Sequence, residues 1–282
     1  DKLQDALDKV ASSNRRPQRI IMSKVIDRDG MQHINDVAAH NNLLIERLPN
    51  PTEFKSNFGN EIEVKPIAIE DLLGRQQAKL DRPAMAKLIS GKRVLITGCG
   101  GSIGSELSRQ IASFTPSHII LLDSSEFNLY SIDMELSEDY PELERDAVLG
   151  DVRDQSRLNQ IFDRFKPELV FHAAALKHVP LVEANPIEGI HTNVLGTKNT
   201  ADACRRVGVQ TMVLISTDKA INPPNIMGAS KRLAESYCQT MDLAGKQENK
   251  TRFVTVRFGN VLGSTGSVVP LFERQLKTGG PL

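Results

Sequence analysis

The chain has 282 residues, of which 40% are hydrophobic, 25% charged and 5% aromatic, with no Trp. Lys and Arg total 35 and Asp and Glu total 35, so the formal net charge is zero, and neither nucleic acid nor an anionic lipid surface is an expected partner. Three widely spaced cysteines without a CxxC pair argue against a disulfide framework and a zinc site, and no metal is expected. The length corresponds to about two domains.

The first 70 residues are expected to form a partial α/β domain with a parallel sheet. The predicted elements, from apolar periodicity, are helices over 3–11 and 31–41 and strands over 19–25, 43–48 and 61–67. Residues 71–90 follow as a charged, partly helical connector. Because the sequence starts at Asp1 rather than Met and stops just after a predicted helix, we expect a fragment of a longer protein. Its apolar stretches are too short to span a membrane, so the fragment is expected to be soluble.

Residues 91–282 alternate short β-branched runs with amphipathic helical stretches. The predicted strands are 93–97, 118–123, 147–151, 169–173, 211–217 and 253–258. Continuous apolar strands separated by helices are typical of a parallel sheet covered on both faces. The fold class predicted for this part is therefore α/β, a Rossmann-type doubly wound parallel sheet.

The first strand of this second part runs directly into a glycine-rich turn and then a helix. Gly98 would permit the tight turn, Gly101 the close approach of a pyrophosphate, and Gly104 close packing of the helix on the sheet. The helix N-terminus, with Ser102 and Ile103, supplies N–H donors for phosphates. The strand–turn–helix context favours a dinucleotide site over a simple packing turn.

Acidic and small residues follow the next three strands. Asp123 ends the second strand, where a carboxylate accepts hydrogen bonds from ribose hydroxyls and repels a 2′-phosphate, which favours NAD over NADP. Asp151 can accept a hydrogen bond from the adenine amino group, and Val152 follows it. The small residues that close the fourth strand and leave room for a cofactor are Ala173, Ala174 and Ala175, although ordinary helix–sheet packing explains them equally well.

Together these motifs resemble the extended short-chain dehydrogenases/reductases, as does the run 193–197 (NVLGT), which places Asn193 at the cofactor. The runs 175–180 (ALKHVP), 216–220 (STDKA) and 257–264 (RFGNVLGS) narrow the resemblance to the membrane-anchored type of UDP-N-acetylglucosamine 4,6-dehydratase, which serves polysaccharide and glycan biosynthesis. The resemblance implies NAD as cofactor, a UDP-sugar as partner and a homo-oligomer. It also implies a longer parent on the cytoplasmic side of the bacterial inner membrane.

The same resemblance identifies residues 91–282 as a catalytic domain cut off before its full C-terminal substrate subdomain. In such proteins a separate Rossmann-like domain precedes the catalytic one, which would account for residues 1–70. This fragment itself is expected to make no membrane contact.

The sequence departs from the family at the Tyr of the usual YxxxK pair, where Met227 stands four residues before Lys231. A spacing of four puts both on one helix face, so Lys231 can still reach the nicotinamide ribose. Met227 has no titratable proton and cannot be the base. The strand end at Thr217, Asp218 and Lys219 offers a hydroxyl, an acid and an amine where such folds place their chemistry.

The chemistry of dehydration and the resemblance imply a role for each of these groups. Thr217 would hydrogen-bond the sugar 4-oxygen, and Asp218 would accept the 4-hydroxyl proton and protonate the departing 6-hydroxyl. Lys219 would remove the C5 proton, a role that needs partial desolvation and a nearby Lys231. Substrate contacts are expected at Lys177, Asn260, Gly266, Ser267 and Val268. His172 is expected to be a satisfied buried histidine rather than a ligand.

Two other functions stay open. A UDP-sugar 4-epimerase shares the fold but normally needs the Tyr that Met227 replaces and does not need the pair of Asp218 and Lys219. A non-catalytic NAD-binding scaffold would bind the cofactor and leave every UDP-sugar unchanged. Because the chain stops soon after the predicted substrate-binding helix begins, we expect these 282 residues to bind NAD but to bind a UDP-sugar poorly.

Overall fold

A computed structural model of the chain describes residues 17–23, 26, 28–47, 65–66, 81–245 and 251–261, with isolated positions at 3, 6, 7, 10 and 275. The chain divides into two compact units, Asp1–Leu80 and Asp81–Leu282. Within the described ranges, no helix combines the length and the apolar character that a bilayer crossing needs.

The first unit contains two strands joined by a helix, and a third short strand. The elements are β1 (Arg19–Met22), α1 (Arg28–Asn41), β2 (Leu44–Arg47) and β3 (Lys65–Pro66). β1 and β2 pair in parallel, as predicted, and α1 connects them. The predicted parallel pairing is wrong for β3, which pairs antiparallel with β2. The helix predicted over 3–11 lies largely outside the described residues.

The second unit is built on six strands: β4 (Arg93–Thr97), β5 (His118–Asp123), β6 (Arg145–Leu149), β7 (Leu169–His172), β8 (Thr211–Thr217) and β9 (Arg252–Phe258). All their pairings are parallel, in the order β6-β5-β4-β7-β8-β9. The chain leaves β4 toward β5 on one side and later returns to β7 on the other side. The carboxyl end of β4 is therefore a topological switch point, where open α/β sheets bind ligands. The doubly wound fold is confirmed.

Helices connect these strands: α2 (Arg82–Ile89), α3 (Ser102–Ala112), α4 (Glu126–Asp139), α5 (Gln155–Phe165), α6 (Val179–Ala184), α7 (Pro186–Ile190), α8 (Gly196–Val207) and α9 (Ile226–Gly245). A π-helical turn, His191–Leu195, joins α7 to α8, and a 3₁₀ turn, Asp218–Ala220, follows β8.

The sheet is buried on both faces by two hydrophobic clusters. Leu95 of β4 belongs to one cluster, with Phe162 of α5. The next residue, Ile96, belongs to the other cluster, with Leu129 and Leu136 of α4. Adjacent residues in the apolar centre of β4 thus pack into opposite layers, which explains why this strand has a continuous apolar run.

Candidate active site

A side chain would collide with neighbouring atoms at three of the four glycines that follow β4, namely Gly98, Gly100 and Gly104. Gly98 has φ +65°, and a Cβ there would lie 2.6 Å from the backbone nitrogen of Ala174. A Cβ on Gly104 would lie 1.9 Å from the carbonyl oxygen of Gly98, so the first turn of α3 packs closely against the glycine turn. A Cβ added to Gly101 would meet only the carbonyl oxygen of Gly98, at 3.4 Å, among the described residues within 4 Å. This position therefore leaves space above the turn.

A fourth glycine, which the sequence analysis missed, ties this turn to Asp123. The N–H of Gly100 donates to Asp123 Oδ2 at 2.9 Å, and a Cβ on Gly100 would collide with Asn128 at 2.4 Å. The N–H of Ser125 donates to the other carboxylate oxygen, also at 2.9 Å. Each oxygen of a carboxylate has further acceptor capacity. Asp123 is thus fixed in place at the cleft with lone pairs left for a ligand.

A cleft of about 300 Å³ opens at the carboxyl ends of the central strands. The predicted cofactor residues that line it are Gly98, Gly101, Asp123, Asp151, Val152, Ala173, Ala174 and Ala175. Ser102 and Ile103, half-buried, begin α3 beside this turn. The cleft thus gathers residues from four separate strand ends.

Arg153 and Glu188 also line this cleft, and neither was predicted. Arg153 donates through Nε and Nη2 to Asp151 Oδ2, at 2.8 and 2.6 Å, and through Nη1 to Glu188 Oε2 at 2.7 Å. Burial raises the pKa of Asp151, but the hydrogen bonds from Arg153 outweigh it and hold that pKa below its usual range. Asp151 is therefore a carboxylate, able to accept from a ligand amine.

His172 is part of a chain of hydrogen bonds, as a buried, satisfied histidine should be. Its Nδ1 lies 2.7 Å from Thr97 Oγ1, and its Nε2 lies 3.0 Å from Thr197 Oγ1. Thr197 donates its own proton to the carbonyl of Asn193, so His172 must donate from Nε2 and accept at Nδ1. Burial, and then the charge of Lys231, lower the pKa of His172 to about 3, which keeps the ring neutral.

Asn193 lies in the π-helical turn and is not among the residues that line the cleft, so its role as a cofactor ligand stays a prediction. Its amide is 1% exposed and binds both backbone groups of Leu176, accepting from the N–H at 2.8 Å and donating to the carbonyl at 3.0 Å. It also donates to Ser230 Oγ at 3.0 Å. All of its polar atoms are therefore used within the protein. Through these contacts Asn193 holds Leu176, a residue that lines the cleft.

A compact polar cluster lies at the ends of β8 and β9. Thr217 Oγ1 donates to Asp218 Oδ1 at 3.0 Å, and Lys219 Nζ lies 3.4 Å from the same oxygen. Lys219 Nζ also donates to Asn260 Oδ1 at 2.9 Å. The hydrogen bond from Thr217 and the charge of Lys219 lower the pKa of Asp218, which is exposed. The structure thus brings together three residues predicted as catalytic and one predicted as a substrate contact.

Lys231 and Met227 are both buried on α9. Lys231 Nζ donates to the carbonyl of Ile215 at 3.0 Å, and burial lowers its pKa to about 8, against an opposing effect from Glu235. The desolvation expected at Lys219 is therefore found at Lys231, whereas the Lys219 side chain is 39% exposed. Met227 is 2% exposed and presents no titratable group.

The remaining predicted substrate contacts are Lys177 and the segment 266–268. Lys177 is exposed in the segment between β7 and α6. Gly266, Ser267 and Val268 lie outside the described residues. Across the ranges that the structure covers, no three His, Cys, Asp or Glu side chains are grouped as a metal site would require.

A doubly wound parallel sheet, with a glycine turn and two fixed carboxylates at its switch point, defines a Rossmann-type nucleotide-binding protein. The chain belongs to the polysaccharide biosynthesis protein family, whose family model matches residues 94–282.

Curated relatives carry several functional names. Capsular polysaccharide biosynthesis protein CapD of Staphylococcus aureus is 44% identical over 93% of this chain and 44% of its own length. A UDP-N-acetylglucosamine 4,6-dehydratase (inverting) of Campylobacter jejuni is 38% identical over 68% of this chain and 56% of its own. A UDP-glucose 4-epimerase of Rickettsia canadensis is 39% identical, over 68% and 55% respectively. The chain spans roughly half the length of these relatives.

Solved structures show the same fold. Pen from Bacillus thuringiensis is 35% identical with a TM-score of 0.62, over 67% of this chain and 58% of that one. The dTDP-glucose 4,6-dehydratase DesIV from Streptomyces venezuelae, solved with NAD bound, is 26% identical with a TM-score of 0.56, over 67% and 63%.

Proposed function

We propose that this chain carries the catalytic machinery of an NAD-dependent UDP-N-acetylglucosamine 4,6-dehydratase of polysaccharide or glycan biosynthesis. The observation that carries the proposal is the cluster at the ends of β8 and β9, where a hydroxyl (Thr217), a carboxylate (Asp218) and an amine (Lys219) lie within hydrogen-bonding distance. Dehydration across C5 and C6 needs these groups because protons must leave O4 and C5 while one reaches O6. The overall reaction loses one water, with no net oxidation.

The cleft fits NAD. Gly98 and Gly104 form a turn that excludes side chains, and Gly101 leaves the space that a pyrophosphate needs. Asp123 and Asp151 would hold the ribose hydroxyls and the adenine amino group. When bound, NAD supplies hydride acceptance at C4 of the sugar and hydride return at C6.

Asp218 would act first as a base and then as an acid. Its lowered pKa keeps it ionised before the substrate arrives, so it can accept the 4-hydroxyl proton while Thr217 hydrogen-bonds the 4-oxygen. Once protonated, it holds the proton that the departing 6-hydroxyl needs to leave as water. One proton therefore moves from O4 to O6 through a single carboxylate, and no second acid is required.

Lys219 would remove the C5 proton, which the 4-keto group makes acidic, and would return a proton to C5 when hydride reaches C6. Its nitrogen is held between Asp218 and Asn260, and these two contacts fix its position on the strand end. Lys231, buried on the adjacent α9, would hold the nicotinamide ribose and contribute positive charge. Lys177 and Asn260 are proposed substrate contacts, and we further propose a homo-oligomeric parent on the cytoplasmic side of the membrane.

A UDP-sugar 4-epimerase is the second candidate, because relatives of similar identity carry that name. Against it, Met227 is buried and has no proton to exchange, and an epimerase has no need of the pair of Asp218 and Lys219. Mass spectrometry separates the two. After incubation of the full-length protein with UDP-N-acetylglucosamine, a dehydratase product is lighter by one water, whereas an epimer has unchanged mass.

The role of Lys219 has its own test in deuterated water. Lys219→Ala should retain NAD binding and lose deuterium incorporation at C5 together with product formation. Lys198→Ala is the matched control, since Lys198 is 42% exposed and pairs with Asp202 at 2.8 Å, outside the cleft. Undiminished product from Lys219→Ala would contradict the assignment.

A further inference from the structure

Glu235 on α9 is a buried carboxylate that the proposed reaction does not use. Its side chain is 5% exposed, and its Oε1 accepts from Ser216 Oγ at 2.6 Å and from Arg257 Nε at 2.8 Å. Its Oε2 accepts from Arg257 Nη2 and, at 3.4 Å, from Arg232 Nη1. Burial raises the pKa of Glu235, but Arg257 and then Ser216 outweigh it and lower that pKa. The group is thus an ionised, fully coordinated buried charge.

The two main partners of Glu235 occupy the same rung of the sheet. Ser216 of β8 and Arg257 of β9 are register partners, and the next pair, Thr217 and Phe258, is the last of this ladder. A single carboxylate therefore holds both strands one residue before they end. Beyond this point β8 delivers the proposed catalytic cluster, and β9 delivers the loop that contains Asn260.

The ion pair of Glu235 and Arg257 is important for the position of β9, because β9 is an edge strand. Among the residues that the structure describes, β8 is its one strand neighbour, and the positions after Phe253 are exposed. β8 has a second hydrogen bond to α9, because Lys231 Nζ donates to the carbonyl of Ile215. Among the described residues, the other hydrogen bonds between β9 and α9 lie at the far end of the strand, where Asp242 accepts from Arg252 Nε and from the N–H of Phe253.

Two contacts beyond the rung depend on the separation of the strand ends. Lys219 Nζ reaches Asn260 Oδ1 at 2.9 Å. A Cβ on Gly259 would lie 3.2 Å from Asp218 Oδ2, so the loop after β9 lies directly against the catalytic carboxylate. A shift of β9 by about 1 Å would break the first contact and change the second, and misplacement of this size can cost about 100-fold in rate.

We propose that Glu235, acting through Arg257, is a positioning residue that holds the ends of β8 and β9 together so that Asn260 fixes Lys219. The catalytic consequence rests on the proposed dehydratase function. The guanidinium of Arg257 presents two parallel donors to one carboxylate, a geometry that a lysine cannot reproduce although it keeps the charge.

The test compares Arg257→Lys with Arg252→Lys in the full-length protein. Arg252 lies at the other end of the same strand and donates through Nε to Asp242 of the same helix at 3.0 Å, so the control changes a similar link away from the site. For Arg257→Lys we expect kcat to fall by about 10- to 100-fold, with KM and the Kd for NAD unchanged. Hydrogen exchange of the segment 256–260 should be faster. Arg252→Lys should keep kcat within about twofold.

Each outcome decides the proposal. Unchanged exchange in Arg257→Lys, unchanged kcat, or an equal loss of kcat in both variants would overturn it. A wild-type protein that does not dehydrate UDP-N-acetylglucosamine would instead refute the proposed function. The hydrogen exchange of the segment 256–260 in the two variants would then test by itself whether Glu235 and Arg257 hold the strand ends together. If Arg257→Lys does not fold, Ser216→Ala removes only the hydroxyl donor to Glu235, and the same measurements should show a kcat fall of about threefold to tenfold.

Discussion

Replacement of Lys231 by Met should make the protein more stable at neutral pH while weakening cofactor binding. Lys231 is buried, and its pKa is lowered from 10.5 to about 8. A shift of this size corresponds to about 3 kcal/mol, at about 1.4 kcal/mol for each tenfold change in proton affinity. Met has a similar unbranched shape and no charge to desolvate. The Ile215 carbonyl would lose its donor at a cost of about 1–2 kcal/mol, which leaves a net gain of about 1–2 kcal/mol.

The pH dependence of unfolding provides the sharper measurement. Below pH 8, Lys231 is charged in both the folded and the unfolded state. The folded protein then carries the full free-energy cost of the buried ammonium. Between pH 8 and 10.5 the folded state has released the proton that the unfolded chain still binds, so stability rises with pH. The wild-type protein should therefore gain about 3 kcal/mol relative to Lys231→Met across this window.

Urea unfolding at half-unit intervals from pH 7 to 10.5 measures this difference, because other titrating groups contribute equally to both proteins. Lys198→Met removes an exposed lysine and keeps Lys231, so it serves as the control and should show the same rise in stability with pH as the wild-type protein. A stability difference between wild type and Lys231→Met that stays constant with pH would refute the assignment of a desolvated ammonium at this position.

Three further outcomes are expected. Gly104→Ala, whose Cβ would lie 1.9 Å from the Gly98 carbonyl oxygen, should abolish NAD binding as measured by calorimetry, and full binding would show that the turn is not the pyrophosphate site. Asp123→Ser should lower the affinity for NAD relative to NADP by about tenfold in competition titrations, because the carboxylate no longer repels a 2′-phosphate. His172→Leu should destabilise the protein by about 1–3 kcal/mol in urea, since the buried Thr97 hydroxyl loses the acceptor of its proton and Thr197 loses a donor. The wild-type protein should also lose stability as the pH falls from 6.5 towards 3, and the variant should lack this part of the loss.

The sheet could be predicted because its strands are apolar runs bounded by glycine, proline and charged residues. The third strand was predicted two residues too late, at 147–151, because it begins with Arg145 and Asp146. These charges are tolerated in β6 because it is an edge strand where each has a partner: Arg145 bonds Asp133 at 2.9 Å, and Asp146 bonds His118 at 2.9 Å. A strand over 61–67 was predicted, but the antiparallel direction of β3 was not, since direction depends on a pairing that the local pattern does not encode.

The candidate site was accessible from sequence where its residues share a local motif or follow the end of a predicted strand, as Asp123 and Asp151 do. The turn from Gly98 and the cluster from Thr217 to Lys219 are local, so the motifs contain them. Arg153 and Glu188 are 35 residues apart, and Glu235 and Arg257 are 22 apart, so no spacing rule links them. Asn193 was predicted at the cofactor from its motif alone, and a motif position does not distinguish an amide that faces a ligand from one that supports the loop beside it.

The hydrogen bonds around His172 fix the segment that lines the cleft after β7. Thr97 accepts from the N–H of Ala174, and Asn193 holds both backbone groups of Leu176. Both ends of this segment are therefore ordered before any ligand arrives. A dinucleotide that binds there loses its own conformational freedom but does not have to order the wall that receives it, so association should proceed with little loss of protein entropy and with a rate set by diffusion into the cleft rather than by loop closure.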